Sequence, residues 1–120
     1  MRKIIIADDE HKILISLEYS FKKNGYDVYI ARDGTEVLDF LKTMVPDVIL
    51  LDIMMPNLDG YSALEAIKKE EKLKDTKVIF LSAKNNPRDI EKGIEMGADA
   101  YVTKPYSIKK LMQQIEEMFG

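Results

Sequence analysis

Two hydrophobic rhythms alternate along this chain. Short, nearly continuous apolar runs rich in β-branched residues fall at 3–7, 27–31, 48–51, 77–81 and 100–103. Between them lie longer stretches in which apolar residues recur three or four apart. Ile13, Leu17 and Phe21 follow that spacing, as do Val37, Leu38, Leu41 and Met44. Leu64 with Ile67 and Ile90 with Ile94 follow it more weakly, and Leu111, Ile115, Met118 and Phe119 form the last stripe. The first rhythm predicts strands buried on both faces, the second amphipathic helices.

Punctuation residues support the same division. Asn24-Gly25 suits a left-handed helix end, and Met96-Gly97 closes the fourth helix in the same way. Asp33-Gly34 and Asp59-Gly60 precede the second and third helices, and Ser107 is a natural N-cap for the fifth. Val45-Pro46-Asp47 is expected to close the second helix, because proline disfavours helical geometry in the residue before it. Five strands alternating with five helices predict an α/β fold: a doubly wound parallel sheet, covered on both faces, in the flavodoxin-like order 2-1-3-4-5.

Composition narrows the function. The 120 residues fit one domain, and 46% hydrophobic with 32% charged residues argues against disorder. A net charge of −3 leaves no basic footprint for nucleic acid. The absence of cysteine removes disulfides, thiolate metal sites and a Cys nucleophile. No apolar run approaches the ~20 residues of a membrane span, and the apolar run after Lys3 is too short for a signal peptide. A cytoplasmic location is expected.

Chemistry enters where the strands end. Ligands of open parallel sheets bind beyond the carboxyl ends of the strands. Asp8 and Asp9 follow the first run, Asp52 the third, Ser82 the fourth and Lys104 the fifth, so all should share one edge. Clustered carboxylates repel one another, and a hard divalent cation such as Mg²⁺ relieves the repulsion. Lys104 adds a point charge and Ser82 a hydroxyl, a set suited to phosphoryl transfer, in which a carboxylate can itself be the nucleophile.

These residues, with Met55-Pro56 and Asp59-Gly60 after Asp52, Ala83 after Ser82, Gly97-Ala98 before strand 5, and Tyr101 and Lys104-Pro105 around its end, resemble a bacterial two-component response-regulator receiver domain of the chemotaxis-regulator fold. The resemblance covers residues 1–120 as one receiver domain. It implies that Asp52 accepts a phosphoryl group from a histidine kinase or phosphotransfer protein. It implies an Mg²⁺ site in which Asp9 ligates directly, Asp8 helps through water, and Asp52 and the carbonyl of Met54 complete the protein ligands. Lys104 would bridge Asp52 and a phosphoryl oxygen, Ser82 would bind the phosphoryl group, and Tyr101 would turn inward as a switch. The Lys104-Pro105 bond would be cis. Such a domain catalyses only its own phosphorylation and dephosphorylation. It signals through the surface of helix 4, strand 5 and helix 5 to an output protein or fused effector domain. Driving such a switch from 1:99 to 99:1 takes about 5.5 kcal/mol. One charge-assisted hydrogen bond supplies roughly 1.5–3 kcal/mol, so the Ser82 hydroxyl alone is insufficient.

Two departures refine the expectation. Met54 and Lys84 stand where the chemotaxis regulator is polar or acidic, and a thioether orients water poorly, which predicts a long-lived phosphoaspartate. Ala100 and Gln114 stand where receivers of winged-helix transcription factors carry an acid and an arginine that pair across a dimer. A stand-alone receiver, or one attached to another kind of domain, is therefore expected.

Other readings are less economical. An Mg²⁺-dependent aspartate-nucleophile phosphohydrolase would want a second Asp where Met54 stands, and a flavodoxin-like cofactor binder would want a Ser/Thr/Gly-rich loop where Asp8-Asp9-Glu10-His11 stands. Taken singly, Asp8-Asp9 would read as a helix cap, Lys104 as a solvated residue and Tyr101 as core filler. His11, the only histidine, lacks convergent partners, and Asp59 reads as a turn residue. The mixed run Lys68-Lys69-Glu70-Glu71-Lys72 reads as a solvated helix end. The excess of apolar residues at Ile13, Leu14, Ile15 and Leu17 reads as packing, or as a kinase-docking surface beside Pro105-Tyr106.

Overall fold

A computed structural model describes residues 1–120. Strands β1 (Lys3–Ala7), β2 (Asp27–Ala31), β3 (Val48–Leu51), β4 (Lys77–Ser82) and β5 (Ala100–Thr103) form one parallel sheet in the order β2-β1-β3-β4-β5. Helices α1 (His11–Lys23), α2 (Gly34–Leu41), α3 (Gly60–Lys68), α4 (Pro87–Glu95) and α5 (Ile108–Met118) connect them. The predicted fold class and strand order therefore hold. β4 runs one residue further than its apolar run, carrying Ser82 into register with Thr103.

Strand alternation builds two cores. Ile5, Ile49, Leu51, Val78 and Phe80 point to one face, where Val37 and Leu41 of α2 and Leu64 and Ile67 of α3 pack. Ile4, Ile6, Leu50, Ile79 and Leu81 point to the other, against Leu14, Leu17 and Phe21 of α1 and Leu111 and Ile115 of α5. Both faces are covered, which is why the central strands carry almost no polar residues.

The expected caps form. Asp33, Asp59 and Ser107 accept hydrogen bonds from the amides of Glu36 (2.9 Å), Ser62 (2.8 Å) and Lys110 (3.2 Å). Asn86 does the same for α4, with Pro87 in its first turn. Several local expectations shift. α2 ends at Leu41, before Val45-Pro46, although Met44 still packs on the core. The buried row of α1 begins at Leu14, with Ile13 only partly covered. Ile94 is 45% exposed, and Gly93 is the buried position of α4. Glu71–Leu73 form a 3₁₀ turn, from which the Lys72 ammonium donates to the Leu41 carbonyl at 2.6 Å and caps α2.

A polar and aromatic clasp joins the start of β1 to the end of α5. Glu116 accepts from the Tyr26 hydroxyl and pairs with Arg2 (3.4 Å), whose guanidinium lies 4.2 Å from the centroid of the Phe119 ring. Burial and the Glu116 carboxylate push the Tyr26 phenol well above its ordinary range. Hydrogen bonds from Tyr26 and Arg2 hold the Glu116 carboxyl below its own, although burial opposes this.

Candidate functional site

The sheet's hydrogen bonding continues one step beyond the strands and sets the site side by side. The Asp8 amide donates to Ala31 O (3.2 Å), Asp52 to Ala7 O (2.9 Å) and Lys104 to Ser82 O (2.9 Å). Asp8, Asp52 and Ser82 are buried at 1%, 4% and 1% exposure. Gly60 is required close by, because a Cβ there would lie 2.4 Å from Asp52 O. The start of α3 thus presses on the backbone that carries Asp52.

Lys104 organises the edge. Its Nζ lies 2.8 Å from Asp8 Oδ2, 3.3 Å from Asp52 Oδ2 and 3.3 Å from Glu10 Oε1. Burial alone would lower its pKa, but the hydrogen bond to Asp8 and the Asp8 and Asp52 charges outweigh that and push it up. Asp52 is pushed up to about 6, first by burial and then by the Asp8 carboxylate, against the downward pull of Lys104 and the Met54 amide. That amide reaches Asp52 Oδ1 at 3.3 Å. Removing Lys104 from this set would leave the buried Asp8 and Asp52 carboxylates facing each other uncompensated.

The donor set fits a hard cation. Oxygen atoms of Asp8, Glu10 and Asp52 lie within 4.8 Å of one another, and the Asp8 carboxylate's share of the upward push on Asp52, second to burial, is the crowding that Mg²⁺ would relieve. Glu10 joins this group although the sequence singled out Asp8 and Asp9; the unbroken acidic run at 8–10 was the available signal. Asp9 is exposed and lies outside the converging trio. It lines an open cavity of about 560 Å³ with Met54, Met55, Asp59, Tyr61 and Lys84. Asp8 also plays the expected capping part, since its Oδ1 accepts from the Glu10 amide at 2.9 Å.

Ser82 and Tyr101 meet on one residue. Ser82 Oγ accepts from the Lys84 amide (3.1 Å), while the Tyr101 hydroxyl donates to the Lys84 carbonyl (2.7 Å). Tyr101 is half-buried. Met54 is 61% exposed at the site's mouth, and the Lys104-Pro105 peptide is cis. His11 is exposed, and Asp59 caps α3. No helix is long and apolar enough to cross a membrane.

Comparison with known proteins converges on the same reading. The family model described as the response regulator receiver domain matches residues 4–116. The chain is similar to the Francisella response regulator 1452 receiver domain at 38% identity and TM-score 0.91, covering 99% of this chain and 97% of that one. It is similar to the BeF3-activated DrrB receiver domain at 30% identity and TM-score 0.89, covering 99% and 97%. The chemotaxis response regulator CheY4 of Vibrio cholerae matches at 26% identity and TM-score 0.91, covering 98% of each. Strand order, the acidic edge closed by a lysine and a match over nearly the whole length lead to one family: the chain belongs to the response regulator receiver domains.

Proposed function

We propose that Asp52 is the phosphoacceptor of this two-component receiver, taking its phosphoryl group from the phosphohistidine of a sensor kinase or phosphotransfer protein in the cytoplasm. The supporting observation is a buried Asp52 carboxylate held between Asp8 and the Lys104 ammonium at the open edge of the sheet. An Asp52 oxygen attacks phosphorus, the P–N bond breaks, and the histidine nitrogen keeps the electron pair. Asp8, Asp9 and Asp52, with the Met54 carbonyl, would hold Mg²⁺, and Glu10, whose carboxylate converges with those of Asp8 and Asp52, would lie beside them. When bound, the cation neutralises crowded carboxylate and phosphoryl oxygens.

The remaining steps belong to this chain's own groups. Lys104 bridges Asp52 to a phosphoryl oxygen as a point charge. The Ser82 oxygen already accepts from Lys84, which leaves its O–H free to donate to the phosphoryl group. Because Tyr101 is bonded to the carbonyl of the same Lys84, a move of Ser82 is felt by Tyr101 and by the α4–β5–α5 face. That face addresses an output protein or fused effector domain. Residues 1–120 act as one receiver unit, and its only reactions are its own phosphorylation and dephosphorylation. An exposed Met54 supplies no general acid, which argues against a phosphohydrolase.

Phosphoramidate with Mg²⁺ should label the protein once per chain, with no turnover of a generic phosphoester. Labelling that persists in Asp52→Asn, or in excess chelator, would overturn the assignment.

A further inference from the structure

We propose that Tyr61 is a positioning residue for Tyr101, its ring holding the switch inward and its unpaired hydroxyl opposing that position. The proposal rests on the reading of Tyr101 as the switch and extends it to a residue on another element.

Three rings form a ladder through the core beside the site. Tyr61, in the first turn of α3, meets Phe80 of β4 edge-on, with centroids 5.6 Å apart and planes at 73°. Phe80 meets Tyr101 of β5 at 6.0 Å and 62°. α4 closes over the ladder at consecutive residues. The Lys92 ammonium lies 4.0 Å from the Tyr61 centroid, and a Cβ on Gly93 would lie 3.0 Å from Phe80 and 3.1 Å from Tyr101. The rings therefore link α3, β4 and β5 directly beneath α4.

The Tyr61 hydroxyl is the one buried side-chain polar atom with no hydrogen-bond partner. The carboxylates of Asp89 in α4 and Asp59 are the charges felt there, and neither bonds it. A buried hydroxyl without a partner is costly. The cost applies to the arrangement in which Tyr101 is packed against Phe80 and bonded to Lys84. Once Tyr101 leaves that slot, water reaches the hydroxyl and the cost lapses. The Tyr61 ring and hydroxyl thus act on Tyr101 with opposite signs.

Two substitutions separate them. Tyr61→Phe keeps the ring and removes the hydroxyl; Tyr61→Leu removes the ring as well. Tyr101 populations are read by ¹³C NMR of selectively labelled tyrosine, in the resting protein and after phosphoramidate with Mg²⁺. Y61F should raise the resting ratio of inward to outward Tyr101 by about fivefold to tenfold, and Y61L should lower it. A structural role alone would change unfolding stability without moving this ratio in the folded protein. Ratios unchanged in both variants, or moved in the same direction, with a wild-type Tyr101 signal that still responds to phosphorylation, would overturn the proposal and leave the switch intact. A wild-type signal indifferent to phosphoramidate would overturn both, and wild type alone reveals that case.

Discussion

Replacing Asp52 with Asn exchanges a buried carboxylate for a neutral amide of nearly the same shape. In the metal-free protein that carboxylate is held at about 6, against an ordinary 3.8, mainly by burial and the neighbouring Asp8. A raised carboxyl pKa means that folding disfavours the ionised form. Below about pH 4 the group is protonated in both the folded and unfolded chain, and the substitution changes little. Between about pH 4 and 6 the unfolded chain ionises first, and wild-type stability falls relative to the variant. Above about pH 6 the whole cost is present, about 3 kcal/mol at 1.36 kcal/mol per pKa unit. The amide can still accept from Lys104 and can donate to Asp8, so about 1.5–3 kcal/mol of stabilisation is expected near pH 7.5. Urea unfolding in chelator below about pH 4 and near pH 7.5, with an unchanged m-value, reads the difference directly. Saturating Mg²⁺ should stabilise wild type more than the variant and narrow the gap, since binding to the native state adds RT ln(1 + [L]/Kd). An Asp52→Asn protein that is less stable at neutral pH, or whose advantage is the same at both pH values, would refute the electrostatic argument.

Ser82→Ala should still be phosphorylated but should shift the switch equilibrium about tenfold or more toward the resting form, the effect of one charge-assisted hydrogen bond; an undiminished phosphorylation-dependent change in amide NMR spectra would count against it. Met54→Asn gives a water-orienting group to the exposed mouth of the site and should shorten the phosphoryl lifetime about tenfold, equivalent to about 1.4 kcal/mol of barrier; a decay rate of labelled protein equal to wild type would contradict this. Gly60→Ala would put a Cβ 2.4 Å from Asp52 O and 2.8 Å from Ile53 Cα, so a loss of about 2–4 kcal/mol is expected in denaturant unfolding. Gly25→Ala, with φ +86° but open space around it, should cost only about 1 kcal/mol.

The strands were legible because parallel strands buried on both faces need apolar residues at nearly every position, as Ile4-Ile5-Ile6 and Val48-Ile49-Leu50-Leu51 show. The site was legible because Asp8, Asp52, Ser82 and Lys104 follow such runs directly, and one topological rule brings strand ends together. What escaped depends on elements meeting from far apart. Glu10 joins Lys104 across 94 positions, and Lys72 reaches the end of α2 across 31. α4 was weakly marked because the residue it buries, Gly93, carries no hydrophobic signal, while Ile94 looks outward. The orphaned hydroxyl of Tyr61 is a property of packing that no spacing announces.

The clasp of Arg2, Tyr26, Glu116 and Phe119 has a practical meaning for handling this domain. It gathers both chain ends at the amino ends of the strands, whereas Asp52 lies at the carboxyl ends, about 15 Å away at the rise of a short strand. A fluorophore, affinity tag or fused partner appended at either end therefore leaves from the far pole of the molecule, clear of an approaching phosphodonor. Joining the two ends by a short linker and reopening the chain at the exposed Asn24-Gly25 turn would give a circular permutant whose catalytic pole is untouched.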